Sequence, residues 1–334
     1  MNVPTISLAR ACHPLSLHVL HDYEHALLPG IRGNKARKLK SLVHSSSPSL
    51  VSHGGAQSNA MLALAHLCHH NGGTLRYHTR RMPRWLRESP KGNLGAALQL
   101  GCVEIVEHGC TESYNAAVSL ASTAPWFIPQ GAAWPGAEAG VSALARRISS
   151  WHSCGSGTRV GVRQPQLHVI IPAGTGTTAL FLARHLPDES IQVHAVPCVG
   201  GEEYLAEQMQ RLDAASGAVG RFPIILPPST RVAFGAPDER LLKSWRQAAS
   251  SGCLLDLLYG PVAWSAMGSI DWPSESSLLY VNTGGQEGIL SQLRRYRRCG
   301  LLAAASGSAE EELAATVCTA QRAAGRQLDL PPCH

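Results

Sequence analysis

Short apolar runs alternate with helix-patterned stretches along almost the whole chain, and glycine closes several of the latter. A strand followed by a helix, repeated, is the rhythm of a parallel sheet covered on both faces, so the fold class is α/β. The clearest unit is the strand Ser49–His53, ending in Gly54-Gly55 and followed by Ser58 as N-cap of a helix Asn59–His70. Met61, Leu62, Ala65 and Leu67 recur there at helical spacing, and Gly72-Gly73 stops the pattern. Further strands are read at 74–79, 103–107 and 126–129, with helices at 91–100, 114–122 and 136–150. With a strand at 17–23 and a helix from the Lys35 segment to about Val43, they form a first sheet. A stretch rich in Ser, Gly, Arg and Pro at 151–166 reads as a connection. Beyond it, strands at 167–171, 191–199, 254–259 and 278–281 and helices at 179–186, 202–215 and 238–249 form a second lobe.

A chain of 334 residues with 44% hydrophobic content can fill two cores. It holds no apolar run near the roughly 18 residues of a membrane span, and residues 1–13 lack the pattern of a secretory signal. The expectation is a cytoplasmic protein with no membrane partner. Ten scattered cysteines without a C-x-x-C pair fit reduced thiols better than disulfides. The formal charge of +6 is concentrated at Arg76, Arg80, Arg81, Arg84 and Arg87 and at Arg294, Arg295, Arg297 and Arg298. Both clusters read as solvated faces, and nucleic acid is not expected as a partner.

Two segments carry chemistry. Lys35 lies in Gly33-Asn34-Lys35-Ala36-Arg37-Lys38-Leu39, between a glycine-rich turn and a helix start. Partial positive charge and poor solvation there disfavour the ammonium form and favour the free amine that a Schiff base needs. In Ala173-Gly174-Thr175-Gly176-Thr177-Thr178, a strand runs through a Gly/Thr turn into a helix, so N–H groups and hydroxyls converge on a place for an anion. The spacing is neither that of a Walker A loop nor that of a dinucleotide fingerprint. An amine and a phosphate cradle together suggest pyridoxal 5'-phosphate, although a solvated lysine and a structural turn are the plainer readings of each alone. A metal reading rests on His53, His66, Cys68, His69 and His70. His66 and His70 are four apart on one helix, yet no third ligand or acidic residue stands nearby in sequence, and no metal is expected.

Adding Gly54-Gly55-Ala56-Gln57-Ser58-Asn59, the chain resembles the 1-aminocyclopropane-1-carboxylate deaminase and D-cysteine desulfhydrase family of fold-type II pyridoxal phosphate enzymes. The family's G-N-K-x-R-K-L motif corresponds to Gly33 through Leu39 and its G-G-x-Q-S-N motif to Gly54 through Asn59. Its T-G-x-T phosphate loop corresponds to Thr175 through Thr178 and its late T-G-G to Thr283 through Gly285. Ile128-Pro129-Gln130-Gly131-Ala132 is a weaker echo of a further family segment. The resemblance implies two three-layer open twisted α/β domains of the tryptophan synthase β-subunit type. A large cofactor domain is expected over 1–37 and 144–334, a small domain over 38–143, and a homodimer as the assembly.

The resemblance also implies site roles. Lys35 would form the Schiff base and move the proton at the substrate α-carbon, and Asn59 would hydrogen-bond the cofactor's phenolic oxygen. Gly174, Thr175, Gly176, Thr177 and Thr178 would hold the phosphate. Ser58 would face a small amino-acid substrate, whose carboxylate the amides from Gln57 through Asn59 to Ala60 would bind. Tyr259 stands where the family has its active-site tyrosine, and Trp134 is a further candidate for the substrate pocket. The chain departs from the pattern at Tyr259-Gly260-Pro261-Val262, where the family reads Y-E/T-G-K. Gly260 has no side chain to meet the ring nitrogen, and the Thr283 hydroxyl becomes the candidate. A hydroxyl leaves the ring a weaker electron sink than a carboxylate does. That favours loss of a good β-substituent, as in D-cysteine desulfhydration to pyruvate, ammonia and sulfide, over cyclopropane ring opening. The alternatives are the deaminase activity itself and a protein that binds the cofactor without turnover.

Overall fold

The computed structural model describes residues 5–8, 15–44, 49–155, 165–187, 189–302 and 308–325. Its strands are β1 (Thr5–Leu8), β2 (Leu15–His21), β3 (Ala26–Leu28), β4 (Ile31–Arg32), β5 (Ser49–His53), β6 (Thr74–Arg80), β7 (Val103–His108), β8 (Phe127–Ile128), β9 (Leu167–Ala173), β10 (Ile191–Pro197), β11 (Ile224–Ile225) and β12 (Ser277–Asn282). Its helices are α1 (Gly33–Leu39), α2 (Asn59–His70), α3 (Arg84–Glu88), α4 (Gly92–Gln99), α5 (Thr111–Ala121), α6 (Glu138–Gly155), α7 (Thr177–His185), α8 (Gly201–Ala215), α9 (Glu239–Ser250), α10 (Gly260–Ser269), α11 (Ile289–Arg298) and α12 (Ala309–Ala324). Contacts divide the chain into a larger unit, Met1–Tyr23, Ser142–Asp213 and Val219–Cys333, and a smaller one, Glu24–Val141 with Ala214–Ala218.

The larger unit is built on a six-stranded sheet in the order β1-β2-β12-β9-β10-β11, parallel except for the β1–β2 pair. All residues of β9 are buried, the mark of a parallel strand covered on both faces. Leu17, Val19, Leu278, Tyr280, Ile170 and Val196 share one core with Trp245, Trp264 and Met267 from α9 and α10. The two-residue repeat within β2 and β12 is what turns these side chains to one face. Two buried indoles are satisfied, Trp245 Nε1 donating to Leu255 O at 2.8 Å and Trp272 Nε1 to Met267 O at 2.9 Å. The early strand that the sequence reading set with the first sheet is β2, and it pairs with β12 instead.

The smaller unit holds a parallel sheet in the order β7-β6-β5-β8. Leu50, Leu75, Tyr77 and Ile128 from one face share a core with Met61, Leu64 and Leu67 of α2. Contacts group residues 24–37 with this unit, where the sequence expectation set them in the larger domain, because α1 packs on α2 and on the β3–β4 hairpin. Gly33 N–H donates to His25 O at 2.8 Å within the same corner.

Two expectations need correction. The apolar run at 254–259 is not a strand. Its Asp256 carboxylate accepts the N–H groups of Leu258 and Tyr259, each at 2.7 Å, and of Gly260 at 3.0 Å, folding the run into a turn that starts α10. The connection read at 151–166 begins later than expected, since α6 continues to Gly155, and 156–164 lie outside the described residues.

Candidate active site

In the smaller unit, α1 opens at Gly33, whose φ of +59° suits glycine, and no side chain caps its first turn. Lys35 sits in that turn. Burial alone pulls its amine down from the ordinary 10.5 to about 8, and no carboxylate among the described residues holds the charge. Lys38, one turn on, is buried and its amine donates to Gly131 O at 3.1 Å. Burial, and then the charge of Lys35, push Lys38 well below its ordinary range. Trp134 Nε1 donates to Lys38 O at 3.0 Å, so this pocket candidate is tied to the helix that carries Lys35.

The loop after β5 is shaped by close packing. Gly54 has φ +144°, and a Cβ there would stand 2.6 Å from Tyr77 Oη, which instead donates to Gly55 O at 3.3 Å. Ser58 caps α2, its Oγ accepting from Ala60 N at 3.1 Å and Met61 N at 3.4 Å. Ser58 N–H donates to Gly55 O at 3.0 Å. Of the amides from Gln57 to Ala60 that were expected to hold a carboxylate, those of Ser58 and Ala60 are therefore engaged within the loop. The Gln57 side chain is engaged as well: Nε2 donates to Lys91 O at 2.8 Å and Oε1 accepts from Asn93 N at 2.9 Å. Asn59 Oδ1 accepts from Asn93 Nδ2 at 2.6 Å.

His53, at the end of β5, supports the loop from behind. Its Nε2 accepts from Gln130 N at 3.2 Å, which places the ring proton on Nδ1, donated to Tyr114 Oη at 2.8 Å. Burial, and then His78, pull His53 down to about 4, so the ring is neutral near pH 7. Among the described residues no three His, Cys, Asp or Glu side chains converge as metal ligands would.

In the larger unit, Gly174 to Thr178 form the turn between β9 and α7. Gly176 has φ +71°, and a Cβ there would collide with Met209 of α8. Thr175 and Thr177 hydroxyls meet at 2.9 Å. Among the described residues the buried Thr178 Oγ1 has no hydrogen-bond partner, and no side chain caps the N–H groups of the first turn of α7. Unmatched donors of this kind at a helix start are what an anion satisfies. Tyr259 lies beside this turn: a Cβ on Gly174 would stand 3.4 Å from Tyr259 Cε1. Burial, then Cys198 and Asp256, push the Tyr259 phenol above its ordinary range. Thr283 is buried just past β12, the parallel neighbour of β9. The glycine at 260 has a steric cause, because a Cβ there would lie 2.6 Å from Leu255 Cβ and 3.3 Å from Asp256 Oδ2.

Sequence reasoning missed Lys38, His53 as a support, Asn93 and Asp256. Asp256 alone carried a local signal, an Asp two and three residues before the N–H groups it binds.

Among solved structures, an ACC deaminase homologue matches with a TM-score of 0.65 at 19% identity, over 86% of this chain and 89% of that one. This chain has the same fold. A hydrogen sulfide-producing enzyme from Fusobacterium nucleatum matches at 0.54 and 12% identity, over 85% and 95% of the two chains. The diaminopropionate ammonia lyase of Escherichia coli matches at 0.55 and 13% identity, over 86% and 83%. The α/β architecture expected from the sequence is thus the one found. No protein-family model and no curated protein matches the sequence.

Proposed function

We propose that the chain is a pyridoxal-phosphate-dependent lyase or deaminase acting on a small amino acid, with α,β-elimination from D-cysteine as its leading reaction. The observation that carries this reading is the Lys35 amine, which burial alone brings down to about 8, with no counter-ion beside it among the described residues. A lysine so placed is still mostly ammonium at pH 7, yet it holds a far larger share of free amine there than an ordinary lysine does, and that share rises steeply toward pH 8.

The turn between β9 and α7 suits the phosphate of the cofactor. The Thr178 hydroxyl, unpartnered among the described residues, the Thr175 and Thr177 hydroxyls and the uncapped start of α7 offer donors of the polarity that a phosphate needs. Asn59 would donate to the phenolic oxygen, and Thr283 would offer its hydroxyl to the ring nitrogen. Pyridoxal phosphate, when bound, supplies an electron sink for the pair released at the substrate α-carbon. Lys35 takes the proton from that carbon in its amine form. The amides of Gln57 and Asn59 bind the substrate carboxylate. Ser58 Oγ already accepts two N–H groups, which leaves its O–H to donate to the same carboxylate. Tyr259, packed along Gly174, is the group for moving a proton at the leaving substituent.

A second reading, opening of the 1-aminocyclopropane-1-carboxylate ring, is supported by the likeness to the ACC deaminase homologue. Gly260 weighs against it, since nothing at that position can hold a carboxylate near the ring nitrogen. A panel of D- and L-cysteine, D- and L-serine, L-threonine, 2,3-diaminopropionate and the cyclopropane amino acid, assayed for keto acid and sulfide, tests the choice. Pyruvate and sulfide from D-cysteine are expected. Keto acid from the cyclopropane substrate alone would establish the second reading. No product from any substrate, with the cofactor bound, would leave a binding protein without turnover.

A further inference from the structure

We propose that Asn93 is a positioning residue that fixes which end of the Asn59 amide faces away from the α2–α4 contact, making Asn59 an obligate hydrogen-bond donor. The inference rests on the reading of Asn59 as the partner of the cofactor's phenolic oxygen. It concerns a residue that no motif singles out.

The argument runs through main-chain carbonyls, whose polarity is not in question. Asn93 Nδ2 lies 3.0 Å from Gln57 O and 2.6 Å from Asn59 Oδ1. A turned Asn93 amide would set its own oxygen against the Gln57 carbonyl, two acceptors facing each other, so the NH2 group must occupy this place. Because that NH2 reaches both acceptors, the atom of Asn59 facing it must be the oxygen. The Asn59 NH2 then points away from Asn93, and no partner among the described residues takes it. The segment bearing Asn93 is itself held. Gln57 Nε2 donates to Lys91 O at 2.8 Å, and its Oε1 accepts from Asn93 N at 2.9 Å. Gly92 has φ +62°, and a Cβ there would lie 2.7 Å from Gln57 Oε1, so only glycine admits this closure. The Gln57 amide is held between two backbone atoms and the Asn93 amide is fixed by a third, so the polarity passed to Asn59 cannot invert.

A fixed donor at Asn59 favours an ionised phenolic oxygen on a bound cofactor, and a fixed acceptor disfavours it. Asn93→Asp reverses the polarity: its carboxylate draws the Asn59 NH2 to itself and turns the Asn59 oxygen outward. The readout is the absorbance spectrum of protein loaded with pyridoxal phosphate, compared with wild type and Asn59→Asp, with folding checked by circular dichroism. In Asn93→Asp we expect the visible band of the ionised form to give way to the near-ultraviolet band of the neutral form. Cofactor affinity should fall about tenfold or more, as for a lost hydrogen bond to a charged group. An unchanged band in folded Asn93→Asp, with the band shifted in Asn59→Asp, overturns the role of Asn93 while the reading of Asn59 stands. Unchanged bands in both variants overturn the reading of Asn59 and the inference with it. Should Asn93→Asp not fold, Asn93→Ala decides. An Asn59 amide free to populate two orientations raises the cofactor dissociation constant by at least about twofold, and an unchanged constant and band overturn the proposal.

Discussion

Replacing Lys35 with methionine is predicted to make the cofactor-free protein more stable at neutral pH. Burial lowers the amine from 10.5 to about 8, and at about 1.36 kcal/mol per pH unit the charged form is disfavoured by about 3 kcal/mol relative to the unfolded chain. Lys35 keeps part of its surface in solvent, whose screening makes this an upper figure. The folded amine gives up its proton near pH 8 and the unfolded one near 10.5. Between those values the unfolded chain binds more protons, so wild-type stability rises with pH across that window. Below it both states are charged and the whole penalty stands. Urea unfolding of wild type and Lys35→Met should therefore show the variant ahead by up to about 3 kcal/mol at pH 7 and by roughly half that at pH 9.5. Loss of stability at pH 7, or a gain that does not change with pH, would refute the reasoning, since either means that Lys35 holds no buried charge.

Three further outcomes are expected. Thr178→Val keeps the shape of the side chain and removes a buried hydroxyl without a partner. The cofactor-free protein should gain about 1 kcal/mol while affinity for pyridoxal phosphate drops about tenfold, read by melting temperature and by titration; unchanged affinity would remove Thr178 from the phosphate site. Ser58→Ala should cost about 1 kcal/mol in urea unfolding and Ser58→Gly less, because the cap on Ala60 and Met61 is lost. Asp256→Ala strands three N–H groups and should cost about 3 kcal/mol or more. Asp256→Asn keeps the two bonds to Oδ1 but sets an NH2 against Gly260 N–H, and recovers only part of that loss.

What could be read from the sequence was what is local. Ser58 followed by an apolar helical pattern and a glycine stop places α2 to the residue, because capping and termination act within a turn of the chain. The β9 turn into α7 was legible for the same reason. The run at 254–259 misled because four leucines and a tyrosine look like a buried strand, and Leu254, Leu255 and Leu257 are indeed buried. The Asp256 carboxylate decides otherwise, and Pro261 in the first turn of α10 was the signal that a helix begins. The capping box Ser308–Glu311 and the stop at Gly325 equally announce α12. Asn93 was out of reach: nothing local relates residues 57–59 to residues 91–93, and their contact exists only once α2 and α4 pack together.

The central claim, a cofactor carried on Lys35, is tested most directly by the visible absorbance of the purified protein with pyridoxal phosphate, wild type beside Lys35→Ala, before and after D-cysteine. The account predicts a visible band in wild type that is absent from the variant and that D-cysteine perturbs. No band in wild type, or an equal one in Lys35→Ala, would contradict it.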